Sequence, residues 1–403
     1  MSRVELLSPA GDKDCFLKAL QFGADAIYLA GKEFGMRTAS QNFDMETLKN
    51  CIDLAHQKGV KVYMTCNTLP RNNEIDRMPE FLRNAELCGI DAFIIADLGV
   101  FSLAQKYASS VEIHMSTQTG IVNYQTAQVL YNMGAKRVVL ARELSLDEII
   151  DIRAKIPEDL EIETFVHGSM CASFSGRCLI SSYMTGRDAN RGDCAQPCRW
   201  KYHLYEEHRD GQFFPIEEDD TGTYLYNSRD LCMIKHIPKL ISAGISSLKI
   251  EGRAKSSYYT AVVTNAYRKA IDDYEINGNK TLASWIYNEL NKVSHREYNT
   301  GFFFGSEPGQ IHSNGGYIRE YDVVAICDSY KNGVAYLTQR NRFFVGDEID
   351  VLPPSGIPFI FIVEQMYDAN GNNIEVAPHA MQKVSVSTNI EIPAGSMLRK
   401  KRI

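Results

Sequence analysis

The chain has 403 residues, of which 44% are hydrophobic and 23% charged, with a formal net charge of −7. That length exceeds one ordinary core and predicts a large domain followed by a smaller one, in a chain of normal globular composition. No run approaches the roughly 20 apolar residues of a membrane helix, the acidic total gives no global pull on nucleic acid, and the start MSRVELLSPAG shows no secretory signal; a cytoplasmic protein away from membranes is the expectation.

Val4–Leu7 is the first of eight short apolar runs. Five times a helical pattern closes on a glycine and passes at once into such a run, at Gly23, Gly59, Gly89, Gly134 and Gly244, at intervals of 36, 30, 45 and 110 residues. Glycine supplies the left-handed turn that ends a helix, and a short apolar run behind it reads as a strand buried on both faces. Val111–Met115 and Leu160–Val166 complete the eight. Alternation with amphipathic helices predicts a parallel (β/α)8 TIM-like barrel over residues 1–276. The long last interval then holds strand seven and an insertion, 167–235, before strand eight.

Ser256–Ile276 is helical by its periodicity and closes the barrel, and Asn277-Gly-Asn breaks it. Residues 277–314, with a second helical stretch at Leu282–Val293, read as a helical linker. From 315 to 403 the texture changes to short alternating runs, among them Asp322–Cys327, Gly333–Gln339, Asp347–Leu352 and Val384–Ser387. They predict a small all-β, barrel-like domain. The basic run Arg399-Lys-Lys-Arg402 reads as a solvated tail.

In such barrels the chemistry sits at the carboxyl ends of the strands. Those ends carry Ser8, Asn67, Asp97, His114, Ser116, Gln118, Arg142, Glu143, Glu251 and Arg253. Strand seven runs directly into His167-Gly-Ser-Met-Cys171, so His167, Glu251 and Arg253 are the candidate catalytic residues. Arg142, Arg177 and Arg199 are candidates for binding a carboxylate or phosphate bidentately, with Arg187 and Arg191 nearby in sequence. Structural roles compete for every one of these, because a barrel mouth is polar in any case.

Five of the ten cysteines fall in the insertion, Cys171, Cys178, Cys194, Cys198 and Cys232, spaced C-x6-C-x15-C-x3-C-x33-C. Disulfides need an oxidising compartment. Structural zinc favours pairs two to four residues apart, which only Cys194 and Cys198 form. An iron–sulfur cluster needs four thiolates and tolerates wide spacing, and redox-active or merely buried thiols are the third reading. Neither H-E-x-x-H nor G-x-S-x-G occurs, and a nucleophile placed among clustered thiols invites metal capture instead.

Glu163-Thr-Phe-Val-His-Gly-Ser-Met-Cys171, Ser175-Gly-Arg-Cys178-Leu-Ile-Ser181, Asn190-Arg-Gly-Asp-Cys194-Ala-Gln-Pro-Cys198-Arg-Trp200, Ser228-Arg-Asp-Leu-Cys232 and Lys249-Ile-Glu-Gly-Arg253 resemble the motifs of the collagenase-like peptidase family U32. The resemblance continues through His295–Gly305 into the β-rich end of the chain. Some members of that family are labelled proteases; others form 5-hydroxyuridine at the tRNA wobble position using prephenate, hydroxylate ribosomal RNA, or act in oxygen-independent ubiquinone hydroxylation. The hydroxylating members carry a [4Fe–4S] cluster, and by position Cys171, Cys178, Cys194 and Cys232 resemble its ligands, with Cys198 a spare that could replace Cys232. The length is similar to that of the tRNA-hydroxylating branch. The resemblance therefore implies prephenate-dependent formation of 5-hydroxyuridine with tRNA as partner, and a further protein or paralogous subunit as a second candidate partner. The alternatives are a collagenase-like peptidase and hydroxylation of ribosomal RNA or a quinone precursor.

Overall fold

The alternation of helix and strand is set by local chemistry at each helix end. Asp12, Asp44, Asp97, Asn123 and Ser145 each accept the backbone N–H three residues on and so start a helix. Gly23, Gly59, Gly89, Gly134 and Gly244 have φ between +70° and +109° and turn the chain out of the preceding helix. The computed structural model describes residues 3–35, 42–171, 173–174, 176, 178–191, 193–200, 218–219, 222–223, 229–278, 281–305, 317–354 and 356–402, with the backbone alone at 191, 199, 218, 219, 222 and 223.

Strands β1 (Glu5–Pro9), β2 (Ala26–Leu29), β3 (Lys61–Cys66), β4 (Ala92–Ile95), β5 (Glu112–Met115), β6 (Arg137–Val139) and β7 (Glu161–Ser169) pair in parallel, each with the next. The eighth strand, Ser247–Ile250, pairs in parallel with both β7 and β1 and closes the barrel. The cysteine-rich insertion lies between strands seven and eight, and part of it returns as an antiparallel strand, Asp230–Cys232, beside the end of β7. Outward residues such as Leu6, Ile27, Val62 and Phe93 pack on helix residues such as Phe16, Leu48 and Leu82, and this shell between strands and helices is the main core. Helix Ser284–Leu290, in the expected linker, adds Ile286 and Leu290 to the same core.

Inside the barrel a small apolar cluster (Leu7, Ala26, Tyr28, Tyr63, Ala92 and Ile94) sits beside a lattice of charges. Arg137 Nη1 lies 2.6 Å from Glu5 and 3.0 Å from Glu163, and its Nη2 is 2.6 Å from Glu161. Lys249 donates to the other oxygen of Glu163 at 2.7 Å. Tyr63 and Ser247 donate to Glu5 at 2.6 and 2.8 Å. Isolated charges are very costly away from water, so each of these has to be matched by another.

The second domain is built on an antiparallel sheet of seven strands, in the order Phe359–Ile362, Glu348–Leu352, Met397–Lys401, Tyr321–Lys331, Val334–Gln339, Lys383–Ser387, Met366–Asp368, with a two-stranded pair, Phe343–Phe344 and Val376–Ala377, beside it. It surrounds its own core of Val324, Leu337, Ile349, Val386 and Leu398. Its last strand corrects the reading of Arg399–Arg402 as a solvated tail, because Met397–Lys401 is an interior strand of the sheet. Strand alternation turns Arg399 inward, where it is 0% exposed and donates to Glu289 at 2.6 Å and Asp350 at 3.0 Å. Lys292 bridges the same two carboxylates. Glu289 and Lys292 follow the barrel and Asp350 belongs to the sheet, so this ion cluster joins the domains, and Leu352 and Met397 extend the barrel core across the seam.

Two outcomes follow. Arg399→Met leaves Glu289 and Asp350 buried with less compensating charge and is expected to lower unfolding free energy by about 3–5 kcal/mol, measured by urea denaturation. Burial raises the Glu5 carboxyl and Arg137 more than offsets it, holding it at about 2 against an ordinary 4.5. Its contribution is therefore complete above about pH 4.5 and lost as pH falls toward 2; Glu5→Gln is expected to flatten that acid limb as well as lower stability.

Candidate active site at the barrel mouth

A cavity of about 880 Å³ opens at the carboxyl ends of the barrel strands, between the mouth, the cysteine insertion and the edge of the second domain. Of the strand-end residues singled out, Asn67, Ser116, Gln118, Arg142, Glu251 and Arg253 line it. Ser8 instead bonds Thr264 at 2.9 Å, Asp97 caps a helix, and His114 is buried in the barrel interior against Tyr63, with ring centroids 4.8 Å apart. Arg177 and the side chain of Arg199 lie outside the described residues.

The cavity wall is strongly cationic. Among the described residues Arg142, Lys249, Arg253, Lys255, Arg319 and Arg340 face two carboxylates, Asp14 and Glu251. Arg142 is held from three sides: it donates to Ser169 O at 2.9 Å, lies 3.3 Å from Glu251 Oε2, and stacks 3.8 Å from the Phe165 ring centroid. Gly168, at φ +107°, lets β7 pass close to the eighth strand, since a Cβ there would meet Glu251 O at 2.5 Å. Sequence reasoning missed Arg319 and Arg340 as cavity residues, because they come from the second domain and nothing in local sequence joins them to the mouth.

His167 does not line the cavity. The ladder between β7 and the eighth strand slips by one residue, pairing Lys249 with Phe165 but Ile250 with His167. Bulges of this kind re-aim side chains at barrel rims. His167 consequently shares the outward face of Ile250 and is packed among Tyr267, Tyr298 and Tyr259 at centroid distances of 5.5, 5.3 and 6.0 Å. It is 1% exposed, and its Nε2 has no hydrogen-bond partner among the described residues. Burial lowers its imidazole to about 3 against the opposing pull of Asp230, so the ring is neutral at any working pH.

Four cysteines, Cys171, Cys178, Cys194 and Cys198, line the cavity. Cys171 is exposed and the other three are half-buried. Gln196 has φ +58°, rare for a residue with a Cβ, and its N–H donates to Cys194 Sγ at 3.3 Å. Cys232 stands apart from this wall: it is buried in the strand beside β7, with its thiol pushed up to about 11 by burial while the Tyr267 hydroxyl opposes the shift. Among the described residues no three His, Cys, Asp or Glu side chains converge closely enough to hold a metal ion. The donor chemistry nevertheless suits a soft metal, since thiolates select iron–sulfur centres or zinc, and they share one wall.

For His167 the expected outcome is an imidazole whose carbon and nitrogen shifts stay flat between pH 5 and 8 in NMR spectra of ring-labelled protein. A midpoint near 6.5, the ordinary histidine value, would place the ring in contact with solvent or a charge partner.

Comparison with known proteins places these features in a family. The model of peptidase family U32 matches residues 11–313, and that of the U32 C-terminal domain matches 319–399. A Bacillus subtilis protein called tRNA hydroxylation protein P1 is 36% identical over 402 residues, 98% of this chain and 94% of the relative. A Helicobacter pylori tRNA hydroxylation protein P is 45% identical over 306 residues, 75% of this chain and 72% of the relative. A Methanocaldococcus jannaschii protein called uncharacterized protease MJ0090 is 38% identical over 399 residues, 96% of both chains. The motifs on β7, in the insertion and after the eighth strand thus sit where the family model matches, and the chain belongs to peptidase family U32.

Proposed function

We propose that this chain hydroxylates RNA, forming 5-hydroxyuridine at the tRNA wobble position with prephenate as co-substrate. The observation that carries the reading is the composition of the single mouth cavity, where four cysteines and six cationic side chains stand together. The names borne by the Bacillus and Helicobacter relatives support it over most of the chain. Prephenate carries two carboxylates, and guanidinium groups bind carboxylates bidentately; Arg142 and Arg253 would hold it, with Arg177 and Arg199 as further candidates. Phosphates of the RNA would meet Arg319 and Arg340 at the second domain's edge. A local basic face offsets the acidic net charge of −7 for this purpose.

Cys171, Cys178, Cys194 and Cys232 would hold a [4Fe–4S] cluster, with Cys198 as the alternative fourth thiolate. Such a cluster supplies one-electron redox chemistry when bound. The chain's own residues do the remainder: Arg142 and Arg253 orient the anion, and Glu251, 3.3 Å from Arg142 in the cavity wall, accepts or returns a proton. Phe165 and Tyr28 give the reacting end an apolar wall.

The peptidase reading attached to the Methanocaldococcus relative has less support in this geometry. Ser173 and Cys171 line the cavity, but no histidine among the described residues does, so no Ser–His or Cys–His pair is formed among them.

The test is nucleoside mass spectrometry of tRNA from a deletion strain carrying either the wild-type chain or Cys178→Ser. Wild type is expected to restore uridine bearing one extra oxygen, and Cys178→Ser to fail while losing iron. A normal modification level with Cys178→Ser would reject the cluster-dependent reading. Iron content of Cys232→Ser and Cys198→Ser then identifies the fourth ligand, which is the cysteine whose replacement loses iron.

A further inference from the structure

Below the cysteine wall the cavity continues into the barrel, where Tyr28, Ile94, Phe165 and Lys249 line it. Lys249 is 4% exposed, yet it is a wall residue of this cavity rather than a group sealed beneath it. Its ammonium lies 4.6 Å from the Tyr28 centroid and 5.4 Å from that of Phe165. The Arg142 guanidinium lies 3.8 Å from the same Phe165 ring, so one aromatic ring carries two cations.

The hydrogen bonding of Lys249 is incomplete. An ammonium has three donors, and among the described residues Lys249 uses one, to Glu163 at 2.7 Å. Glu163 turns its other oxygen to Arg137 at 3.0 Å, and Glu5 and Glu161 complete the shell of that guanidinium, so none of the lattice's remaining oxygens is within hydrogen-bond reach of Lys249 among the described residues. Buried polar groups ordinarily have their partners. A ligand oxygen at this depth would supply an acceptor for the unused ammonium donors.

We propose that Lys249 is the floor of a subsite for one carboxylate of a small organic anion. Arg142 stands at its upper edge, and the Phe165 and Tyr28 rings are walls for the apolar part of the same molecule. This rests on reading the cavity as the site of a carboxylate co-substrate, and it adds to that reading which end of the anion enters the barrel and what receives it. In this arrangement the subsite serves the small molecule and leaves the rim to the nucleic acid.

The test uses the full chain, purified without oxygen, with two variants. Lys249→Met removes the charge at similar volume, and Glu163 keeps Arg137 as partner. Lys249→Gln keeps a donor for Glu163 and guards against a folding failure in the first. Calorimetry measures binding of prephenate and, as an independent probe, of phenylpyruvate; hydroxylation assays give KM for prephenate and for tRNA. A charge-assisted hydrogen bond contributes about 1.5–3 kcal/mol, so folded variants are expected to bind both anions about 10- to 100-fold more weakly, with KM for tRNA unchanged. Binding at wild-type strength in a folded variant would overturn the subsite, as would a rise in KM for tRNA alone, or a wild-type chain that binds neither anion. A wild-type chain that binds phenylpyruvate through Lys249 but does not use prephenate would reject the proposed co-substrate and leave the subsite standing.

Discussion

Arg137 lies inside the amino-terminal end of the barrel with Glu5, Glu161 and Glu163 around it, and through Glu163 this lattice holds Lys249 at the base of the mouth cavity. A guanidinium this deep is tolerable only if its charge is matched and its donors are used. Glu5 comes from β1, Arg137 from β6, and Glu161 and Glu163 from β7, so the lattice spans the arc of strands in which the eighth strand closes the barrel. Its upper member is Lys249, held by Glu163. The cavity therefore ends on a charged floor, where many barrels of this class are filled by branched apolar side chains. Electrostatic matching inside the barrel and the depth of the cavity are one property.

The bulge between β7 and the eighth strand divides two environments that lie two residues apart in sequence. Phe165 remains on the cavity side and receives Arg142 and Lys249 on its ring. His167 is turned into the tyrosine-rich core, where burial keeps it neutral. Its role there is in packing against Tyr267 and Tyr298, and its position carries the strand Asp230–Cys232 alongside. The insertion is thereby anchored to the barrel wall at one end, with its other cysteines facing the mouth.

Charge is unevenly distributed over this molecule. A chain with a net charge of −7 gathers six cations at one cavity, drawing them from β-strand ends and from the second domain. The cluster of Arg399, Lys292, Glu289 and Asp350 fixes the second domain at the seam and so sets where Arg319 and Arg340 stand. Domain docking thus adds two cations to the four that the barrel itself brings to the cavity among the described residues. Fields focused in a cleft act on a ligand more strongly than the total charge of the protein does.

Local pattern was enough to determine the barrel. Helix caps, the five turn glycines and the apolar runs act within a few residues of one another, and these account for the strand count, the insertion point and the change to an all-β domain. The cysteine spacing likewise located the mouth, because Cys171 follows β7 within two residues of its end. Three matters were decided only in three dimensions: the direction of His167, the burial of Arg399 and the assembly of Lys249 with Arg142 on one ring. Each depends on the register between segments distant in sequence. A one-residue slip reverses the face of a strand residue, and the charge that compensates a buried cation can lie more than a hundred residues away, as Glu289 does from Arg399. Periodicity encodes which residues are strand; the pairing partner decides which of them meet the substrate.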